Sequence, residues 1–335
     1  MQLYLLSQNA VRVKSLCEHY MILSARSYRH ENDSKSYLNV KYFIQKTVVL
    51  AAVSALMFII GGFLVKEYKI NTLGNRSIRM LNDKIKVLSS KHDVISAATL
   101  HLAAMLFMLM DHLWATLLPA QDWMTCVGRL AFPVFAFMAV EGYFHTHCFK
   151  RYALRLLVLA VISEVPFDLM YGGTWFYPFH QNVIWTLLMG LLGVRIMESV
   201  RKTQKKWVYV IVVAVVLMAG AVLGTVCMVD YYGAGVLTVF VFYLFRGRSW
   251  WCLLGQVAAL YWINVEMLGG LMYPVSLFGA ELELCQQGLA LLSLPLVWLY
   301  RGRQGYHSKK FQYFCYAFYP MHMLILALVL NYINR

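Results

Sequence analysis

One pattern limits what this chain can become. From residue 95 onward, apolar runs long enough to cross a bilayer follow one another at short intervals: roughly 95–118, 123–143, 152–170, 181–197, 207–229, 232–245, 249–272, 285–300 and 311–333. A spanning helix needs about 20 apolar residues, and only helices or closed barrels satisfy their backbone inside lipid. The run 232–245 is short for that length and fits a tilted helix or a thinner patch. With 60% hydrophobic and 14% charged residues and a mean hydropathy of +0.58, the composition lies outside the soluble range. The expected fold is all-α, a polytopic transmembrane helix bundle of about nine to ten spans.

Loop charge orients the bundle. The connections 144–155, 195–206, 246–248 and 301–310 carry Lys and Arg, whereas 119–122, 171–180, 230–231 and 273–284 contain neither. By the positive-inside rule the basic set is cytoplasmic. The net charge of +14 therefore reads as loop charge facing anionic lipid, with no nucleic-acid partner implied. Four regions result: a polar, basic segment 1–46, a candidate extra anchor 47–65, a basic linker 66–94 and the transmembrane domain 95–333. The anchor is flanked by Lys and Arg on both sides, so it spans against the charge rule, or is a dispensable anchor, or the true start lies downstream, for instance at Met80. The seven scattered cysteines show no CxxC or zinc spacing, so no disulfide framework and no metal is expected.

Within 105–147, Asp111, His112, Arg129 and Glu141 interrupt otherwise apolar sequence. A charge at the bilayer centre costs about 2.5–3.5 kcal/mol even on the lenient insertion scale, so such groups must meet partners or water. At about 1.5 Å rise per residue, Asp111, Arg129, Glu164, Glu266 and His322 fall near one level in the outer half of the membrane. Asp168, His180, Asn182 and Asp230 sit just above them. A chamber open to the outside, floored by this layer, is the expectation. Each residue also has a plainer reading: Asp111 and Arg129 as an ion pair locking two helices, His322 bonding a carbonyl freed by Pro320, Glu141 at the interface. His145 and His147 are spaced poorly for a metal, Glu281 and Glu283 suit a solvated loop, and Trp207, Trp250, Trp251 and Trp298 suit an interfacial belt.

Taken together, MLFMLMDHLW (105–114), GRLAFPVFAFMAVEGYFHT (128–146), RLLVLAVISEVPFDL (155–169), Asn182 with TLLMGLL, 230–235, YRGRQG (300–305) and FCYAFYPMHML (314–324) resemble the TraX family, polytopic bacterial membrane proteins related to the conjugative pilin acetylase. The resemblance implies an integral acetyltransferase of the bacterial inner membrane. Acetyl-CoA is the implied donor substrate, and the acceptor is an amine or hydroxyl on pilin or a surface polymer. No bound cofactor is implied. In this reading His112, or alternatively His322, is the base, Asp111 or Glu164 orients it, and Arg129 stabilises the oxyanion. Asp168, Asn182, Asp230 and Glu266 meet the acceptor, while Arg151, Arg155, Arg301 and Arg303 meet the phosphates of coenzyme A. The rival readings are a multi-pass transporter, since midplane polar groups also line pathways, and an assembly component of a conjugation or export system.

Overall fold

The computed structural model describes residues 95–277 and 280–333, so the expectations for 1–94 lie outside the described residues. The fold is a helical bundle. Helices α1 (Ala97–Thr116), α2 (Asp122–Gly128), α3 (Ala131–His145), α4 (Phe149–Tyr171), α5 (Val183–Thr203), α6 (Lys206–Val226), α7 (Tyr232–Leu244) and α8 (Trp250–Tyr261) follow in order. A π-helix, Trp262–Leu268, extends α8; a 3-10 segment, Gln286–Leu292, leads into α9 (Ser293–Leu299), and α10 (Lys309–Ile333) closes the chain.

Among the described residues, six helical segments are long and apolar enough to cross a membrane: Ala97–Thr116, Asp122–His145, Val183–Thr203, Lys206–Val226, Trp250–Leu268 and Lys309–Ile333. The protein is thus a multi-pass helical membrane protein, and the count of nine to ten spans is not met on these terms. The difference has a physical origin. Helix α4 has the length but carries Lys150, Arg151, Arg155, Glu164 and Asp168, and the segments Tyr232–Leu244 and Gln286–Leu299 are short. The expectation of purely helical structure also needs amending. Met272–Leu277 and Ala280–Cys285 pair as an antiparallel hairpin, with Met272 opposite Cys285 and Leu277 opposite Ala280, in a connection that reads from sequence as a loop.

Helix α7 is the central post. Every residue from Gly233 to Tyr243 is buried, and α3, α5, α6 and α8 pack around it. A helix that is apolar all round belongs where protein or lipid surrounds it completely, and here protein does. Close approach depends on small residues, as in membrane bundles generally. A side chain on Gly233 would run into the Ala221 carbonyl of α6.

Local chemistry sets the helix ends that matter. Ser96 caps α1 by accepting from the Thr99 amide at 3.2 Å. Two more N–H groups of that first turn, those of Ala97 and Ala98, donate to the carbonyls of Arg303 and Gln304 at 2.8 and 3.2 Å. This docks the start of α1 onto the loop before α10. Between α2 and α3 the helix breaks at Arg129 and Leu130. Pro133 explains the break, because it has no N–H to return to the Arg129 carbonyl four residues earlier.

Candidate functional site

Three polar networks lie inside the bundle. In the first, the broken helix presents Arg129 to Asp111 of α1, and the two form an ion pair with their side chains 17% and 15% exposed. Thr125, one turn before Arg129, donates to the same carboxylate oxygen at 2.7 Å. The guanidinium also donates to the Thr125 carbonyl at 3.3 Å, to Thr125 Oγ1 at 3.1 Å and to Gln287 Oε1 at 3.2 Å. Gln287 in turn donates to Asn264 Oδ1 at 3.0 Å, and Asn264 donates to the Leu260 carbonyl at 2.8 Å. A residue from the 3-10 segment and one from the π-helix therefore hold the arginine. The helix-locking reading of Asp111 and Arg129 is the geometry found, and it spends most of the guanidinium's donors.

The second network is a histidine pair. His112 Nδ1 lies 2.7 Å from His322 Nε2, and both residues are buried. The rings lie edge to edge and nearly coplanar, with centroids 4.9 Å apart and planes 11° from parallel. Their tautomers follow from the bonds. His322 Nδ1 is 2.7 Å from the Phe318 carbonyl, which can only accept, so Nδ1 carries the proton and Nε2 of a neutral ring is an acceptor. The bond to His112 then requires the proton on His112 Nδ1, which leaves His112 Nε2 with a free lone pair. Thus His322 does bond a carbonyl, although it is that of Phe318; Pro320 removes the donor for Tyr316. Tyr171 and Tyr319 flank His112, their ring centroids 6.0 and 6.5 Å away.

The third network occupies the ends of α4 and α5 nearer the non-basic loops. Glu164 accepts from the Trp185 indole at 2.8 Å and from the Asn182 side-chain amide. Asn182 caps α5 through the Ile184 amide at 3.1 Å and donates to the Ala160 carbonyl at 2.9 Å. Asp168 fastens the following connection by accepting from the Tyr177 amide at 2.9 Å. Asp230 meets His180 Nε2 at 3.3 Å. Gln181 also bridges to the 228–231 turn through its backbone, its N–H donating to the Met228 carbonyl and its carbonyl accepting from the Asp230 N–H, at 2.9 Å each. That turn is strained: Met228, Tyr231 and Tyr232 all have positive φ. Its Tyr231 ring stacks on Phe132 with centroids 4.4 Å apart.

A chamber opening toward the non-basic loops is expected among these groups. The polar groups there bond to nearby side chains and backbone, and Asp168 Oδ1 is buried without a partner. The hollow of about 670 Å³ lies on the opposite side, toward the basic loops. Its mouth includes Glu141, His145, His147, Gly302 and Gln304, and its walls are apolar, with Met105, Leu156 and Leu187 among them. Its inner end reaches Met108, Phe318 and Tyr319. Phe318 and Tyr319 are the rings packed on His322, with centroids 4.8 and 5.9 Å from it. At the mouth, Glu141 accepts from Arg246 Nε at 2.7 Å, and the same guanidinium lies 4.0 Å above the Phe144 ring.

Two further placements differ from the sequence reading. Glu266 is exposed, and Asn264 takes the inward position on that segment. The wider winding of a π-helix changes which residue faces the core, which α-helical depth counting could not anticipate. None of Arg151, Arg155, Arg301 and Arg303 lines the hollow; Gly302 and Gln304 do so from the same loop. Sequence reasoning also misses Thr125, Gln287, Asn264 and Trp185. Thr125 is four residues before Arg129 and so shares its helix face. Gln287 is a polar residue in an apolar run, which is a signal that could have found it.

The fold and its buried networks thus define a polytopic helical membrane protein that carries polar chemistry inside the bundle. The model of a family described as TraX protein matches residues 96–330, and the chain belongs to the TraX family. The probable fimbrial assembly protein FimC, serogroup H1, of Dichelobacter nodosus is 25% identical over 256 residues, covering 71% of this chain and 97% of that protein. No solved structure matches.

Proposed function

We propose that this protein is an acetyltransferase of the bacterial inner membrane. It moves an acetyl group from cytoplasmic acetyl-CoA to an amine or hydroxyl acceptor, a pilin N-terminus or a surface glycan. One observation carries the reading: the apolar hollow on the basic-loop side ends at Phe318 and Tyr319, the rings packed against the buried His112–His322 pair. From Ala97 at the mouth to His112 is about 22 Å along α1. An extended pantetheine chain of about a dozen bonds reaches about 15 Å. With the nucleotide end at the membrane surface, the thioester lies about 7 Å short of the His112 level, a gap that the acceptor occupies. A nine-span layout goes with this arrangement when the short segments Tyr232–Leu244 and Gln286–Leu299 and the charged α4 are counted as tilted or protein-shielded spans.

In the reaction, His112 Nε2 takes the proton of the acceptor N–H or O–H, and the acceptor atom bonds to the acetyl carbon. The C–S bond breaks, and the departing thiolate takes up the proton held by His112. His322 accepts the His112 Nδ1–H and so fixes the ring with Nε2 free. Arg129, with most of its donors engaged, contributes its positive charge to the oxyanion more than a dedicated hydrogen bond. Glu164 belongs to the α5 cap rather than to the base.

A second reading, an assembly component, is favoured by the name of the Dichelobacter relative. Vesicles oriented with the basic loops outward and supplied with labelled acetyl-CoA separate the two. The enzyme reading expects transferred label, with His112→Ala lowering it by about 10²–10⁴-fold. Full transfer by both His112→Ala and His322→Ala ends it. Fimbrial or surface assembly that survives complete loss of transfer points to the assembly role.

A further inference from the structure

Beside the mouth of the large hollow lies a second one of about 280 Å³, walled by Thr146, His147, Phe149, Arg195, Glu198 and Lys202 among others. His147 lines both, so the two adjoin at that residue. We infer that the smaller hollow is a phosphate-ester site that takes the nucleotide end of an acyl-CoA whose pantetheine arm occupies the larger one. The inference rests on the proposed acetyl-CoA reading and gives it a phosphate site other than the arginines expected from sequence.

Charge is the first argument. The one carboxylate in the wall, Glu198, is buried and already committed. It accepts from Tyr243 at 2.9 Å, pairs with Arg201 at 2.9 Å and pairs with Lys202 at 3.4 Å. Those bonds hold Lys202 in place yet occupy one of its three donors. Arg195 stacks on the Phe149 ring, 5.8 Å from its centroid, and its guanidinium has no hydrogen-bond acceptor among the described residues. With Glu198 already paired to Arg201 outside the wall, Arg195 and Lys202 leave a surplus of positive charge facing the hollow.

Backbone geometry is the second argument. The wall includes Phe149, the first residue of the 23-residue helix α4. Of the first-turn N–H groups, those of Lys150 and Arg151 turn to the Cys148 thiol, and that of Phe149 adds partial positive charge suited to a phosphate oxygen. An arginine fork beside them matches a phosphate group in shape as well as sign. The same chemistry would serve an anionic lipid headgroup, because the site lies at the ends of spans, so the test must separate the two sources.

The test uses the full chain in phosphatidylcholine nanodiscs, with and without phosphatidylglycerol. It compares wild type with Arg195→Gln/Lys202→Gln, whose changed side chains are exposed and which leaves Glu198 bonded to Arg201 and Tyr243. The probes are 3′,5′-adenosine bisphosphate, which has no pantetheine arm, and acetyl-pantetheine, which has no phosphate. A loss of tenfold or more in bisphosphate affinity, with acetyl-pantetheine affinity unchanged, supports the site with the nucleotide as occupant. Loss of phosphatidylglycerol retention, with no bisphosphate binding in either protein, supports a phosphate site occupied by lipid. If neither ligand depends on the two cations, the site is overturned. Acetyl-pantetheine binding to the wild type then leaves the acetyl-CoA reading of the larger hollow standing, and its absence removes that reading separately.

Discussion

Gly128 lies so close to Asp111 that a methyl group placed on it would overlap the carboxylate side chain. Glycine is what lets α2 approach α1 closely enough for the next residue, Arg129, to pair with that same carboxylate. Gly128→Ala should therefore destabilise the bundle by about 1–3 kcal/mol, the usual cost of overpacking. Thermal unfolding in detergent would show it as a lower midpoint. An unchanged midpoint would mean the two helices do not meet as described.

The ion pair itself can be dissected by a double-mutant cycle. Asp111→Asn and Arg129→Gln each leave a largely buried partner uncompensated, a loss approaching roughly 3–5 kcal/mol. The double variant should recover about 0.5–3 kcal/mol relative to the sum of the singles. Strict additivity would show that the two groups are independent.

The histidines should differ in acetyl transfer. His112→Ala removes the free lone pair, whereas His322→Gln keeps a side chain able to accept the His112 Nδ1–H. The expected order of kcat is wild type, then His322→Gln, then His112→Ala. The reverse order for the two variants would exchange their roles.

Thiol labelling tests the orientation. Cys148 stands between α3 and α4 beside basic residues, and Cys227 is exposed at the opposite end of the bundle, where α6 stops. The Arg151 backbone N–H, aided by its side chain, pulls the Cys148 thiol below its usual range. A membrane-impermeant maleimide should modify Cys148 rapidly at neutral pH from the cytoplasmic face, and Cys227 only from the other. Labelling of both from one side would overturn the topology.

His180, in the connection between α4 and α5, titrates in competition. Burial lowers its pKa, but the hydrogen bond and charge of Asp230, with Glu164 and Asp168 nearby, raise it more, and the net shift is upward. A raised folded pKa means the contribution is complete below the unfolded value of about 6.5 and fades as pH rises through the folded one. Hydrogen exchange in residues 172–182 should therefore speed up, beyond the intrinsic base-catalysed rise, as pH climbs above about 6.5. His180→Ala should abolish that excess.

Sequence makes the broad architecture readable because membrane helices announce themselves by length and apolarity, and α1, α5, α6 and α10 run close to the expected limits. Pairings are harder. Helical rise places Asp111 and Arg129 at one depth, but depth says nothing about azimuth, so the same count puts Glu266 inside although it faces out. The location of the hollow is obscured for a related reason. Polar residues suggest open space, whereas Glu164 and Asn182 bond each other, Asp168 and Asp230 bond the Tyr177 amide and His180, and the walls of the hollow are largely apolar. The hairpin at 272–285 is hard to read because the sequence there holds no Asn-Gly or Asp-Gly pair. Pro274 within the first strand also argues against a strand there, and only an edge position tolerates it.

The π-helical stretch Trp262–Leu268 has a mechanical consequence. Ordinary α winding through those seven residues would rotate Asn264 away from Gln287, and Gln287 would lose the contact that fixes its oxygen against Arg129. Where the arginine aims is thus governed by a backbone dislocation far downstream in the chain. Shortening that segment by one residue would retune the ion pair without altering any group that belongs to it.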